Sequence, residues 1–180
     1  MALSKIRSES MNLADDFAFT GTVSGAGKVL QVKSVSKDSY FSTTSTTFTD
    51  VTGMSVSITP SSTSNKIYCI FHVGVTGNAT AGQYSYMRLM RDSTAISVGD
   101  VSGSSRIAVG SGTGGNANYD SGPLTITHLD SPSSTSAITY KIQMRDQNSG
   151  TAKFNARGDD SDNDSTGRTA ASLTVMEIAG

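Results

Sequence analysis

Ile67-Tyr-Cys69-Ile-Phe71-His-Val73-Gly-Val75 follows closely on Met54-Ser-Val56-Ser-Ile58-Thr-Pro60, with only polar residues between them. The second segment alternates apolar and polar side chains and stops at a proline, which is the pattern of a half-buried strand. The first is apolar at nearly every position, which predicts a central strand covered on both sides. Two adjacent strands of these kinds, joined by a short polar turn, point to a sheet protein.

The period of two continues outward from this pair. Tyr84-Ser-Tyr86-Met-Arg88-Leu-Met90 and Ile138-Thr-Tyr140-Lys-Ile142-Gln-Met144 alternate, as do the shorter Leu124-Thr-Ile126 and Leu173-Thr-Val175. β-Branched and aromatic residues fill these runs, while Ser, Asn, Gly and Asp fill the gaps. No helical stripe is found after residue 28. The expected fold is all-β, a jelly-roll-like antiparallel β-sandwich over residues 28–180. Between the strands, 61–65 and 131–136 are tight polar connections. The segments 99–122 and 155–169 are longer, and loops of that length are expected to meet a partner.

Residues 1–27 differ in character. Leu3, Ile6, Met11, Leu13, Phe17 and Phe19 are apolar but share no period, and the stretch ends in Gly21-Thr-Val-Ser-Gly25-Ala-Gly27, a hinge composition. An extended N-terminal docking arm is expected here, with those six residues as its anchors. Lys5 and Arg7 precede no apolar core of a secretory signal.

Composition narrows the function. The 180-residue chain carries a net charge of −1, which argues against nucleic acid and anionic membranes as partners. No apolar run approaches the ~18 residues of a membrane span. The apolar fraction of 36% lies below the ~45–50% of ordinary globular domains. Either part of the chain sits outside a core, or a second subunit completes the core. The single cysteine, Cys69, excludes an intrachain disulfide and is expected to be a buried thiol.

The candidate motifs dissolve on inspection. Gly110-Ser-Gly112-Thr-Gly-Gly115 matches GxGxxG, yet no helix follows to meet a pyrophosphate, so loop glycines are expected. Asp160-Ser-Asp162-Asn-Asp164 resembles the first half of a calcium loop. Ser165 and Ala171 stand where an EF-hand needs Gly and Glu, which excludes that motif; a solvated acidic tip is expected, with an irregular calcium site at Asp160, Asp162 and Asp164 as the alternative. Arg157-Gly-Asp159 is a chance tripeptide, and Asn78-Ala-Thr80 and Asn163-Asp-Ser165 are glycosylation patterns without a secretory context. His72 and His128 lie in different strands with no third ligand at motif spacing. Asp92, Asp100, Asp130 and Asp146 could in principle supply a depolymerase's carboxylate pair, but each sits beside a turn. No GxSxG elbow is present. No enzyme, cofactor or metal is expected.

Several longer strings carry a resemblance. They are Leu3-Ser-Lys-Ile6, Phe17-Ala-Phe-Thr-Gly-Thr-Val-Ser-Gly25, the run from Phe48 to Ile67, Met87-Arg-Leu-Met-Arg-Asp92, Leu129-Asp-Ser-Pro132 and Ser172-Leu-Thr-Val-Met-Glu-Ile178. In them the chain resembles small tail-fibre or virion structural proteins of bacteriophages, a family common in marine and cyanobacterial viruses. The resemblance implies a virion location and a structural, non-enzymatic role. The strand plan is also similar to trimeric jelly-roll heads of the tumour-necrosis-factor and complement type. That analogy implies a homotrimer, with Ile67, Cys69, Phe71, Val73, Tyr84 and Tyr86 at the three-fold interface or core. Two roles stay open. In a short tail fibre, the arm docks on a tail or baseplate adaptor and the head meets the host, a surface glycan being the further expected contact. In a capsid-decorating (cement) protein, the arm lies across the major capsid protein.

Overall fold

The computed structural model describes residues 28–101, 103–117 and 120–180. The arm expected over residues 1–27, with Leu3, Ile6, Met11, Leu13, Phe17 and Phe19, lies outside them. The described residues form two antiparallel sheets packed face to face, a jelly-roll-like sandwich.

The first sheet contains β1 (Val29–Lys37), β2 (Phe41–Thr43), β4 (Lys66–Asn78), β8 (Ser121–Asp130), β10 (Ala152–Phe154) and β11 (Ala171–Ile178). The long strand β4 organises it. β8 runs along one side of β4, while β11 and then β10 pair along the other. β1 closes the sheet beyond β11, and β2 closes it beyond β10. The second sheet contains β3 (Thr49–Ile58), β5 (Tyr84–Arg91), β6 (Thr94–Ile96), β7 (Ser111–Gly114) and β9 (Ile138–Asp146). β9 lies between β3 and β5, and β6 and β7 share the far side of β5.

Alternation places the core. Ile67, Cys69, Phe71 and Val73 of β4 point inward with Leu173 and Val175 of β11. From the second sheet they meet Met54 and Ile58, Met87 and Leu89, and the run Ile138, Tyr140, Ile142, Met144. Phe71 and Phe154 stack with ring centroids 6.2 Å apart. Each large side chain removed from water here contributes about 1.5–3 kcal/mol. In β3, a bulge between Asp50 and Ser55 shifts the phase, with Gly53 at φ 84°. The shift brings Met54 inward after Val51, so both ends of the strand feed one core.

Three local expectations are corrected. β4 is central within its sheet but covered on one face only. Its outward Tyr68 and Ile70 are half-buried and His72 is exposed, because no third layer among the described residues packs against them. In β5 the alternation runs in the opposite phase to the one its tyrosines suggest: Ser85, Met87 and Leu89 are inward, and Tyr84 and Tyr86 face out. Gly112 and Gly114 of the GxGxxG match are strand residues of β7, paired with Tyr86 and Tyr84, and are not loop glycines.

Candidate functional site

The two outward sheet faces carry different chemistry. On the first sheet, strand pairing lines up outward side chains in rows across β1, β11, β4 and β8. One row is Val32, Met176, Tyr68 and Leu129, and the next is Ser34, Thr174, Ile70 and Thr127. A third is Ser36, Ser172, His72 and Thr125. None of these positions carries a carboxylate or an ammonium or guanidinium group. Val32 and Leu129, at the two ends of the first row, are each 53% exposed, and Val29 and Leu30 extend the apolar edge. The polar members bond to one another: Ser34 Oγ and Thr174 Oγ1 are 2.9 Å apart, and His72 Nδ1 lies 3.0 Å from Thr125 Oγ1. Charge enters this face only at its ends, with Lys66 beyond Tyr68 on β4 and Lys153 on β10; the uncharged middle, with its exposed large apolar side chains, has the chemistry of a protein interface.

The second sheet's outward face is aromatic and charged. Arg88 lies over the Phe48 ring at 4.0 Å and donates from Nε and Nη2 to Gln143 Oε1 at 2.9 and 2.7 Å. Gln143 and Lys141 donate to the two oxygens of Asp50, each at 2.7 Å. The Lys141 bond is the main reason the Asp50 carboxyl is held below its usual range. Next to this lattice the Tyr84 and Tyr86 rings lie parallel within 7°, their centroids 5.9 Å apart. Each rests on a glycine of β7. A Cβ at Gly112 would stand 2.6 Å from Tyr86 Cδ1, and one at Gly114 would stand 2.8 Å from Tyr84 Cδ1. Gln147 fixes the start of the strand. Its Oε1 accepts from Tyr84 N at 3.0 Å, and its own N–H donates to the Tyr84 carbonyl at 2.9 Å. Beside Tyr86 lies an open cleft lined by Asp100, Ser105, Arg106, Ile107, Val109 and Gln147.

The residues expected at a three-fold interface therefore part company. Ile67, Cys69, Phe71 and Val73 are fully buried inside one chain and offer no surface to another. Tyr84 and Tyr86 are at the surface, on the other sheet. The apolar row that does face outward was missed, because Val32 and Leu129 sit in runs whose interior signal is weak.

The remaining titratable groups serve the fold. Asp130 accepts from Arg91 at 2.8 Å and from the Tyr140 hydroxyl at 2.7 Å. Asp146 closes its own turn, accepting from Asn78 Nδ2, Asn148 N and Gly150 N. Asp92 accepts from Thr139 N at 2.9 Å. Burial, with the Asp130 charge adding to it, pushes the Cys69 thiol up to about 12, so it stays a protonated core group. His72 and His128 lie on opposite faces of their sheet by alternation. In the acidic loop Asp160 is paired with Arg168 at 3.0 Å, which already balances its charge, and Asp162 and Asp164 point into solvent. Among the described residues no three His, Cys, Asp or Glu side chains gather as a metal set.

No protein-family model matches the sequence, and no curated protein is similar to it. Among solved structures, one of infectious bursal disease virus (Gx strain) is similar over 94% of this chain, with 13% identity and a TM-score of 0.43. This chain spans 41% of that one. At that level of likeness no function passes from one chain to the other.

Proposed function

We propose that this chain is a non-enzymatic structural protein of a bacteriophage virion, a homotrimer docked through residues 1–27 that displays the sandwich as its head. Within that role we favour a short tail-fibre, receptor-binding module. The observation that carries the reading is the two-sidedness of the sandwich. One outward face is uncharged and partly apolar through its middle, with Lys66 and Lys153 only at its ends, which suits burial of the middle rows against identical copies. The other presents aromatic and charged groups to solvent. An uncharged face shared by three copies also accounts for the lean core, since each subunit then buries further apolar surface on assembly. The sequence resemblance to phage fibre and virion proteins supplies the setting. The polar partners of Asp92, Asp130 and Asp146 support the absence of a carboxylate pair for glycan cleavage.

The expected mass in solution is three times the 18.7 kDa of one chain, measured by light scattering on the purified protein. Leu129→Asp should give a folded monomer, because Leu129 already faces solvent in the single chain and only the assembled face would bury the new charge. A wild-type monomer, or a trimer unaffected by Leu129→Asp, would rule out this interface. Immunogold labelling of intact virions with antibody to the head tests the location. Gold confined to the tail supports the fibre reading, whereas gold over the whole capsid replaces it with capsid decoration.

A further inference from the structure

A cleft lies beside Tyr86, lined also by Asp100, Arg106 and Gln147. It holds about 400 Å³ and opens on the outward face of the second sheet, between Tyr86 of β5 and Asp100, Ser105, Arg106, Ile107 and Val109. Its base is held by two backbone bonds, Gly99 N to Val109 O at 3.0 Å and Gly110 N to Met87 O at 2.9 Å. The site is thus anchored to β5 and does not hang on an unsupported loop.

The aromatic part is prebuilt. Tyr84 and Tyr86 are parallel, and glycines at 112 and 114 let each ring settle against β7 where a Cβ would displace it. Tyr84 nevertheless stays 43% exposed. Tyr86 is half-buried beside it, and two rings held on a glycine bed have lost their ordering entropy before any ligand arrives. The C–H face of a pyranose is weakly positive and apolar, and it matches the negative face of such a ring.

The polar part complements a sugar's edge. Among the described residues, the Asp100 carboxylate and the Arg106 guanidinium have no hydrogen-bond or ion-pair partner, although the rest of this face is densely paired. Gln147 uses its Oε1 on Tyr84 N, and its amide N–H groups have no partner among the described residues. One free acceptor and two sets of free donors around an aromatic platform can each take a hydroxyl. The lining carries one charge of each sign, which gives no net attraction for phosphate. Arg88, Arg145 and Lys141, further cations of this face, are already engaged by Gln143, by the backbone carbonyls of 146 and 147, and by Asp50. This favours a neutral saccharide over a nucleic acid.

We propose that the Tyr84–Tyr86 platform with Asp100, Arg106 and Gln147 binds the hexopyranose units of a neutral surface polysaccharide. The inference gives the receptor-binding part of the function proposed above a ligand class and a place, and to that extent rests on it.

The test uses the full-length protein on an array of neutral and acidic bacterial polysaccharides, with a single-stranded oligonucleotide as a further spot. At least one neutral polysaccharide should bind. Tyr86→Ala and Asp100→Asn should each weaken that binding at least tenfold, while Tyr86→Phe, which keeps the ring, should retain most of it. Asp100 is exposed, so its substitution leaves folding intact and guards against loss through misfolding. Binding only to acidic polysaccharide or to the oligonucleotide, neutral binding that survives both Tyr86→Ala and Asp100→Asn, or no binding at all would overturn the proposal. Trimer mass and gold labelling are untouched by these variants, so failure here is separable from failure of the virion role.

Discussion

Glu177 shows how a single charge is tolerated at the end of the sandwich. It is 1% exposed, yet it accepts from Gln31 Nε2, Asn65 Nδ2, Ser61 N and Ser61 Oγ. Burial alone would raise its pKa, but these donors more than offset it and hold the carboxyl down to about 2. A carboxylate in the unfolded chain titrates near 4.3. Above that pH the group is ionised in both states and the stabilisation is complete. As pH falls from about 4.3 toward 2, the unfolded chain takes up the proton first and stability declines. Glu177→Leu strands the donors of Asn65 and Ser61 and should cost about 1–3 kcal/mol at neutral pH. Urea midpoints across pH 2–7 check both points: the variant should be less stable throughout and flatter across the acid window.

At the scale of elements, what was legible followed the contrast between neighbouring residues. Met54–Ile58, Ile67–Val75, Ile138–Met144 and Leu173–Val175 lie within strands as their alternation predicts. β2, β6, β7 and β10 are only three or four residues long, too short for alternation to show, and each pairs with a neighbouring strand that offers free backbone partners. Nothing in Ser111-Gly-Thr-Gly114 announces a strand until β5 is beside it. The β3 bulge is a second such case. Gly53 at φ 84° admits the phase change that turns Met54 inward, and an L side chain there is strained. Gly53→Val should lower stability by about 1–2 kcal/mol, read as a fall in the thermal midpoint, with the sheet content retained by circular dichroism.

At the scale of the whole molecule, the arm and the head are separable in the proposed role. The core of the described residues draws on both sheets. Deleting residues 1–27 should leave a soluble head with unchanged sheet content that no longer joins the particle. Incorporation of the truncated head into virions would show that the arm is not the anchor. The expected interface residues divided between the core and the opposite surface for a related reason. Period two says that Tyr84 and Tyr86 share a side, and that Ile67, Cys69, Phe71 and Val73 share another. It does not say which side is the interior, nor which sheet a strand joins.

The amino-acid sequence by itself determined that this protein is built of strands and where several of them lie, β3, β4, β5, β9 and β11 among them. Those properties live in local contrast, in the polarity of neighbours and the chemistry of turns. The tertiary structure alone decided which face of each strand meets the core. It also brought Val32, Met176, Tyr68 and Leu129 into one row and set Tyr86 beside Asp100, Arg106 and Gln147. Backbone hydrogen bonds between strands far apart in the chain create those neighbourhoods, and no local pattern encodes pairings across such separations.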